Sequence, residues 1–297
     1  MASEREISII VPVYQGLKQT KKCLESVLLN GLVGANIVLI NDSSPNSSVR
    51  DYCRQLASHD LIILSENDRN LGFVGSVNKG MQLAGAKDVV LLNSDTIVSA
   101  GWLSALRQAA YRSPQVGTVT PFSNNATVCS YPLSKGDNAL LPGLSVMSMQ
   151  GICAEVASGD CPELPTGVGF CMYIRRDCLD DVGYFDEEAF GKGYGEENDF
   201  CLRASANGWK HLLAPDCFVY HEGGVSFSDQ KQALVANAEK VIAERYPGYF
   251  DDVKKFIQQD PIRPFRDRID AEIYRRGGEA AAALWALRAQ EYRSRSN

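Results

Sequence analysis

Short apolar runs alternate with amphipathic stretches along the first 120 residues of the chain. The apolar runs are rich in Val and Ile and predict buried strands at residues 7–13, 36–40, 61–64, 89–92 and 116–120. Between them, apolar residues recur at helical spacing, which predicts helices at residues 18–29, 47–56, 74–84 and 102–111. This half of the chain is therefore a regular alternation of strands and helices.

Alternation of this kind predicts βαβ units, which give a mostly parallel, Rossmann-like α/β sheet flanked by helices on both faces. Polar residues follow several of the strands, namely Tyr14, Asp42 and the run from Asn93 to Asp95. The carboxyl ends of parallel strands meet at one edge of a sheet, where such folds bind ligands. We therefore expect these residues to share one crevice.

The second half of the chain has a different pattern. Residues 123–164 are rich in Asn, Ser, Gly and Pro, which predicts an irregular excursion over the crevice around a short helix near 146–157. A strand at 169–174 and helices at 176–182 and 199–207 follow, and Ala-rich helices are expected at 231–246 and 279–292. We therefore divide the chain into a domain of residues 1–228, with halves 1–122 and 123–228, and a helical C-terminal extension of residues 229–297.

Composition narrows the class of protein. The chain has 297 residues, a net charge of −6 and a pI near 5.2, so we expect no nucleic-acid partner, because phosphate backbones select basic surfaces. The first residues lack a signal-peptide pattern, and no apolar run approaches the roughly 20 residues that span a bilayer. These features predict a cytoplasmic protein, or one at the inner face of the cell membrane.

The nine scattered cysteines contain no CxxC pair, which predicts buried, reduced thiols.

The residue that points most directly to chemistry is Asp95, which directly follows the predicted strand 89–92 and two polar residues. A carboxylate at the lip of a parallel strand suits a hard divalent cation that holds a diphosphate. A strand-end Asp also commonly caps the next helix, so Asp95 alone leaves both roles open.

Five motifs in order resemble the inverting family 2 glycosyltransferases of the GT-A fold. They are ISIIVPVYQG from residue 7, VLINDSS from 38, NLGFVGSVNKG from 70, LLNSD from 91 and YGEENDFCLR from 194. The resemblance covers roughly three quarters of the chain. It implies a GT-A fold, a nucleotide-sugar donor linked to UDP or dTDP, Mn²⁺ or Mg²⁺ as cofactor, and sugar transfer with inversion at the anomeric carbon. The implied setting is bacterial polysaccharide or glycan assembly, with a glycan or lipid-linked acceptor.

The resemblance also implies roles for residues around the donor. Pro12, Val13 and Tyr14 would line the nucleobase pocket, and Asp42 would hydrogen-bond the base or ribose, although an Asx turn over the following serines is the structural alternative. In the motif from residue 70, Asn70 and Asn78 would face the nucleotide, and Gly72 would let the backbone approach the donor.

The implied metal site departs from the usual family pattern at one position. Asn93, Ser94 and Asp95 occupy the place of the DxD motif, and the first acid is Asn, which offers only a neutral oxygen. Asp95 would then be the principal carboxylate ligand of the metal, with waters and diphosphate oxygens completing the shell. His221 is the second expected ligand or diphosphate contact.

The acidic block from Gly193 to Asp199 is the expected source of the catalytic base. An acceptor hydroxyl has a pKa far above 7, and a carboxylate within hydrogen-bond reach can take its proton as the new bond forms. The family pattern places this base at Glu197, with Glu196 as the second candidate. The same acids could instead cap a helix by charge, and the two roles are compatible.

Two other classes remain open from the sequence. A sugar nucleotidyltransferase would need a basic, Gly-rich loop after the first strand, and residues 14–17 do not provide one. A degenerate, non-catalytic nucleotide-sugar-binding module is compatible with Asn93 and Glu197. The apolar helix expected at 279–292 also suggests contact with another surface, either a second copy of the chain or an anionic membrane.

Overall fold

A sheet with helices on both faces organises the chain, and this computed structural model describes residues 5–30, 32–134, 136–223 and 231–295. The strands are β1 (Ile7–Val13), β2 (Ala35–Asn41), β3 (Ile62–Glu66), β4 (Asp88–Leu92), β5 (Thr96–Ile97), β6 (Val116–Phe122), β7 (Glu163–Leu164), β8 (Cys171–Ile174), β9 (Lys210–Phe218) and β10 (Tyr220–His221). The helices are α1 (Leu17–Leu29), α2 (Ser47–Leu56), α3 (Gly72–Leu83), α4 (Trp102–Ala110), α5 (Val146–Val156), α6 (Arg176–Val182), α7 (Glu187–Phe190), α8 (Glu196–Ala206), α9 (Lys231–Arg245), α10 (Tyr249–Gln259), α11 (Arg263–Arg276) and α12 (Gly278–Arg295).

Eight of these strands form one sheet in the order β3-β2-β1-β4-β8-β6-β9-β7. The pairs among β3, β2, β1 and β4 are parallel, as is the β6–β9 pair, whereas β8 runs antiparallel to both of its neighbours. The predicted α/β, mostly parallel sheet is therefore confirmed. Strands β5 and β10 form a separate antiparallel pair beside the crevice.

The central strands β1, β2 and β4 are buried on both faces of the sheet, which explains why they read as continuous apolar runs. Neighbouring residues of β1 alternate between the two cores, with Ile9 and Val11 in one and Ile10 in the other. The first core includes side chains of α1, α4, α5, α11 and α12, and the second includes side chains of α3, α6, α8 and α9. All nine cysteines are free thiols, as predicted.

The predicted elements agree with the structure except in the second half of the chain. Helix α8 begins at Glu196, three residues before the predicted start at 199, because the acidic residues form its first turn. Sequence reasoning also missed β9, whose Pro215 argues against an interior strand. The β6–β9 pairing jumps from Ala214 to Phe218 between consecutive residues of β6, so an irregularity in the ladder accommodates the proline.

The C-terminal helices pack on the same sheet-based core as the rest of the chain. Leu284 of α12 is fully buried beside α11, and burial of a leucine side chain stabilises a fold by about 1.5–3 kcal/mol. Trp285 and Tyr292 of the same helix are 67 % and 75 % exposed. No helix in the described ranges is both long enough and apolar enough to cross a membrane. The predicted boundary at 228/229 and the N-terminal residues 1–4 lie outside the described residues.

Candidate active site

The ends of β1 and β2 form the first part of the crevice. The Asp42 backbone N–H donates to the Val13 carbonyl at 2.8 Å, which ties the two strand ends together. The Val13 side chain is buried in the core, so only its backbone can face a ligand, whereas Pro12 and Tyr14 are half-buried. The structure therefore brings the predicted nucleobase residues together with Asp42.

Asp42 is buried and organises the turn that leads into α3. Its carboxylate accepts hydrogen bonds from the Asn67 side chain at 2.9 Å, the Leu71 N–H at 2.7 Å and the Gly72 N–H at 2.9 Å. Three donors on one carboxylate fix the position of this turn. The expected contact with the nucleoside stays a prediction, and the structure adds a role for Asp42 in shaping the pocket.

Helix α3 begins at a glycine that the packing of a neighbouring loop requires. Gly72 has φ +77°, and a Cβ there would lie 2.5 Å from the Lys192 Cα. The structure therefore shows a close approach to the backbone of the loop before α8, and the approach of Gly72 to a donor stays a prediction. Asn70 lies in the turn before α3, and its Oδ1 is buried without a hydrogen-bond partner among the described residues. A hydrogen-bond donor from a ligand that reaches this buried acceptor would satisfy it.

Asn78 differs from its predicted placement. Its side-chain amide donates to the Phe185 carbonyl at 2.9 Å and its Oδ1 accepts from the Phe185 N–H at 3.1 Å. The side chain is buried on α3 and binds the 183–187 turn through both ends of the amide. This arrangement assigns Asn78 to the connection between two elements, because its hydrogen-bonding groups are engaged away from a nucleotide.

The turn after β4 carries the residues in place of the DxD motif. Asn93, Ser94 and Asp95 are all half-buried. The Asn93 N–H donates to the Phe170 carbonyl at 2.8 Å, and the Asn93 carbonyl accepts from the Thr96 N–H at 3.3 Å. These bonds fix the backbone of the turn, so Asp95 is presented from a rigid support.

The structure brings His221 beside Asp95, and their shared role as metal ligands stays a prediction. The His221 Nε2 lies 3.4 Å from the Asp95 carboxylate, and the β5–β10 pair aligns the two segments. The Asn124 side chain binds both the N–H and the carbonyl of His221, and the imidazole stacks on Phe170 with ring centroids 5.2 Å apart. Burial by itself would lower the pKa of His221, but the hydrogen bond and charge of Asp95 outweigh it, so the pKa is raised.

The donor set suits a divalent cation that is shared with a diphosphate. His221 Nδ1 contacts the Asn125 carbonyl at 2.9 Å, which leaves Nε2 as the nitrogen that faces Asp95. Across the residues that the structure describes, no three His, Cys, Asp or Glu side chains cluster as a complete metal site. Mg²⁺ and Mn²⁺ are commonly held by one or two carboxylates plus substrate phosphates, a mode that Asp95 fits, whereas the imidazole of His221 suits Mn²⁺ better than Mg²⁺.

The acidic block forms a second wall of the site. Helix α8 begins after Gly195, which has φ +85° and packs so tightly that a Cβ would lie 2.9 Å from Ala238. Glu196 is only 4 % exposed, and Glu197 is half-buried. The Oε2 atoms of both residues are buried without a hydrogen-bond partner in the described part of the chain.

The two carboxyl groups influence each other. Burial raises the pKa of Glu196 well above its usual range, and the neighbouring charge of Glu197 raises it further. Burial also raises the pKa of Glu197, against the lowering effect of backbone hydrogen bonds at the helix start, from Glu197 itself, Gly195 and Asn198. Carboxyl groups with raised pKa values in a cleft are candidates for proton transfer near neutral pH.

Asp199, the third acid of this block, has a different environment. It is fully buried and accepts hydrogen bonds from Arg203 at 2.8 Å, Arg245 at 3.0 Å and Tyr246 at 2.7 Å. A carboxylate with three charged or hydroxyl partners connects helices and is not available as a base. This leaves Glu196 and Glu197 as the acids of the block that can take a proton.

Two consecutive residues connect the walls of the site. A Cβ on Gly169 would lie 3.8 Å from the carboxyl carbon of Glu197, and Phe170 stacks on His221 and accepts from the Asn93 N–H. The candidate base and the candidate metal ligands therefore both border the chain just before β8, at residues 169–170. Sequence reasoning missed Phe170 and Asn124. Only the polar run after the predicted strand 116–120 gave a signal for Asn124.

Comparison with known proteins shows which family the chain matches. The model of the family described as "Glycosyltransferase like family 2" matches residues 4–238. A glycosyltransferase of Streptococcus pneumoniae, GlyA, is 27% identical over 106 residues, which are 36% of this chain and 15% of that protein. The N-acetylglucosaminyl-diphospho-decaprenol L-rhamnosyltransferase of Mycobacterium tuberculosis is 25% identical over 234 residues, covering 70% of this chain and 73% of that protein.

Solved structures show the same fold at low sequence identity. The structure of GalNAc-T7 with UDP, GalNAc and Mn²⁺ aligns with a TM-score of 0.62 and 15% identity, over 99% of this chain and 58% of that one. The mannosyltransferase PcManGT of Pyrobaculum calidifontis, in complex with GDP-Man and Mn²⁺, aligns with a TM-score of 0.59 and 18% identity, over 97% of this chain and 81% of that one. The predicted GT-A fold is therefore confirmed.

Proposed function

This chain belongs to glycosyltransferase-like family 2, and from that premise we propose that it transfers a sugar from a nucleoside-diphosphate donor to an acceptor hydroxyl, with inversion at the anomeric carbon. The observation that carries the proposal is the arrangement of two walls around residues 169–170. One wall holds the Asp95–His221 pair, and the other holds the buried carboxyl groups of Glu196 and Glu197.

Glu197 is the proposed base. Its carboxylate takes the proton of the acceptor hydroxyl while the hydroxyl oxygen forms a bond to the anomeric carbon. The bond between that carbon and the diphosphate oxygen breaks, and its electron pair stays on the diphosphate. Glu197 is preferred over Glu196 because Glu197 is half-buried and lies against Gly169, whereas Glu196 is nearly inaccessible.

Asp95 and His221 are the proposed metal ligands. Mn²⁺ or Mg²⁺, when bound, would supply positive charge against the diphosphate leaving group. Asp95 would contribute the carboxylate oxygen and His221 the Nε2 nitrogen, in its neutral form. The expected donor contacts are those of Pro12, Tyr14 and Asn70 at the nucleoside end of the crevice.

The donor and acceptor are proposed by chemical class. The GT-A neighbours were solved with UDP or GDP-Man, and a sugar linked to UDP or dTDP is our proposal for this chain. The rhamnosyltransferase relative carries in its name a diphospho-decaprenol acceptor, which supports a lipid-linked or glycan acceptor here. Such an acceptor suits assembly of a polysaccharide or glycan at the inner face of a membrane.

One binding experiment and one turnover experiment test the proposal. UDP, dTDP and GDP are screened by thermal shift with and without Mn²⁺, because a ligand that binds the folded state raises the melting temperature by mass action. The sugar donor of the best nucleotide is then incubated with the protein, and the anomer of the released sugar is read by NMR at early times. A net-retained anomer would contradict inversion, and metal-dependent binding without any turnover would favour a non-catalytic binding module.

The exposed aromatic residues of α12 support a proposal of self-association. Trp285 and Tyr292 lie two turns apart on one side of the helix, at a spacing that aligns them. The double variant Trp285→Ser/Tyr292→Ser keeps the buried Leu284 and should lower the molecular mass in solution from that of an oligomer to that of a monomer. An unchanged mass together with lost binding to anionic vesicles would instead assign this surface to a membrane.

A further inference from the structure

We propose that Tyr249, from the helices beyond the family-matched segment, is a positioning residue that holds the start of α8 and thereby the carboxylate of Glu197. The inference rests on the proposed function, because it concerns the group assigned there as the base. Tyr249 lies outside residues 4–238, and it is the first residue of α10. The C-terminal helices would then be part of the active site and not an appended domain.

Three side chains form a closed set of hydrogen bonds at this point. The Asn198 side-chain amide donates to the Tyr249 hydroxyl at 2.6 Å and to the Thr166 hydroxyl at 3.1 Å. The two hydroxyl groups are themselves 3.1 Å apart. Asn198 directly follows Glu197, so the tyrosine fixes the residue next to the candidate base.

The position of Asn198 bears on Glu197 through the backbone. The backbone of Asn198 is among the polar groups at the start of α8 that lower the pKa of the Glu197 carboxyl against the effect of burial. The ionised carboxylate therefore depends on where the Asn198 N–H points. Release of the Asn198 side chain would loosen this donor and disfavour the charged form.

The hydrogen bonds among Asn198, Thr166 and Tyr249 also connect α8 with the chain segment that packs against Glu197. Thr166 belongs to the segment that continues to Gly169, against which the Glu197 carboxyl packs. Tyr249 thus bridges the helix that carries Glu197 and the chain segment that faces it. Two further residues of the same C-terminal stretch, Arg245 and Tyr246, donate hydrogen bonds to Asp199, the residue that follows Asn198.

Substitution of Tyr249 by Phe removes the hydroxyl and keeps the ring. Carbon-13 NMR of labelled glutamate carboxyl groups follows the titration of Glu197, whose resonance is assigned with Glu197→Gln. We expect the Glu197 midpoint to rise by roughly 0.5 unit in Tyr249→Phe. The titratable groups around Glu197 are Glu196, Tyr194, Cys201 and Tyr249, and the variant leaves the first three in place.

A matched control and a second readout separate positioning from simple stabilisation. Tyr246→Phe removes a hydroxyl from the same C-terminal stretch that binds Asp199 and not Asn198, so it should change the melting temperature without moving the Glu197 titration. In turnover of the donor sugar, Tyr249→Phe should lower kcat about fivefold to tenfold and leave the donor KM nearly unchanged. Its acid-side kcat midpoint should move upward with the NMR value.

The outcomes distinguish this inference from the proposed function. An unmoved Glu197 titration in Tyr249→Phe overturns the positioning role, even where the wild-type protein transfers sugar and Glu197→Gln does not. A moved titration in a protein that turns over no donor supports the positioning role and contradicts the proposed function. Equal shifts in Tyr249→Phe and Tyr246→Phe would also overturn the inference, because they would reflect general loosening of α8.

Discussion

The two walls of the site are held in different ways. The Asp95–His221 wall is supported by backbone pairing between β5 and β10 and by the Asn124 side chain, which binds the backbone of His221 at both N–H and carbonyl. The wall that carries Glu196 and Glu197 is the first turn of a helix fixed by side chains from α9 and α10. The Asp95–His221 wall is therefore held mainly through backbone groups, whereas the Glu196–Glu197 wall is held by side chains from the C-terminal helices.

The two walls also differ in the charge environment of their carboxyl groups. Asp95 lies 3.4 Å from the His221 imidazole, which offsets the carboxylate charge when it is protonated. Glu196 and Glu197 share a buried space with one unpartnered oxygen each, among the described residues. A buried polar atom without a hydrogen-bond partner lowers the free energy of unfolding by about 1–3 kcal/mol, so this wall destabilises the fold. The same burial raises the pKa values of the two carboxyl groups, which makes them candidates for proton transfer. The comparison predicts that changes on the two walls have distinct effects on rate, affinity and stability.

The largest effect is expected on turnover, from Glu197→Gln. Glutamine keeps the size of the side chain but cannot accept a proton, and loss of a general base typically costs about 10²–10⁴-fold in rate. Transfer is measured with saturating donor, and nucleotide binding with Mn²⁺ should remain nearly normal. Glu196→Gln is the matched control and should reduce turnover less. If Glu196→Gln is inactive and Glu197→Gln is not, the two roles are reversed.

The next effect is on metal-dependent affinity, from Asp95→Asn. The variant keeps the shape but replaces the carboxylate by a neutral oxygen, so we expect the affinity for a nucleoside diphosphate in Mn²⁺ to fall about tenfold to a hundredfold. Isothermal titration with and without Mn²⁺ measures this change. Without metal, both proteins should bind alike, which controls for local damage. An unchanged affinity in Mn²⁺ would remove Asp95 from the metal site.

A smaller effect, on both folding stability and nucleotide affinity, is expected from Asp42→Asn. The amide would place N–H groups against the backbone donors of Leu71 and Gly72, so at least one of the present hydrogen bonds is lost. Loss of one charged acceptor costs about 1.5–3 kcal/mol of stability, which urea unfolding measures. Free nucleoside and nucleoside diphosphate should both bind more weakly by titration. Weakening that is confined to the diphosphate would contradict a nucleoside-side role.

Much of this architecture could be predicted from local patterns. The apolar runs of β1, β2 and β4 are buried on both faces, so composition alone indicated central parallel strands within one or two residues of their ends. Asp95 was expected at the crevice because polar residues after parallel strands gather at one edge, and this reasoning needs only the direction of the strands. His221 was expected beside it only from the family resemblance.

The remaining features depend on contacts between distant segments. Asn78 reads as a nucleotide contact in the motif, but its partner is Phe185, which no local pattern specifies. Gly72 is needed for the approach of Lys192, from another loop. Tyr249 lies on an amphipathic helix without a buried residue, between segments marked by proline, so the sequence offered no sign that it reaches α8.

The smallest expected effect is a gain of stability from Glu196→Gln, and its dependence on pH tests the contrast between the walls. The raised pKa of Glu196 means that the folded protein favours the protonated form more than the unfolded chain does. The corresponding stability is fully present below the ordinary glutamate pKa of about 4.5 and is lost as the pH rises through the raised value. Glutamine mimics the protonated carboxyl, so the variant should keep this stability at high pH.

Urea unfolding of the wild type and Glu196→Gln from pH 5 to pH 8.5 measures this difference. The two curves should coincide near the lower end and separate as the pH rises, with the variant the more stable protein at pH 8.5. Glu279→Gln, on the exposed side of α12, is the control and should follow the wild type throughout. A variant that is less stable than the wild type at pH 8.5 would mean that the folded protein stabilises the Glu196 charge, and the two walls would then be electrostatically alike.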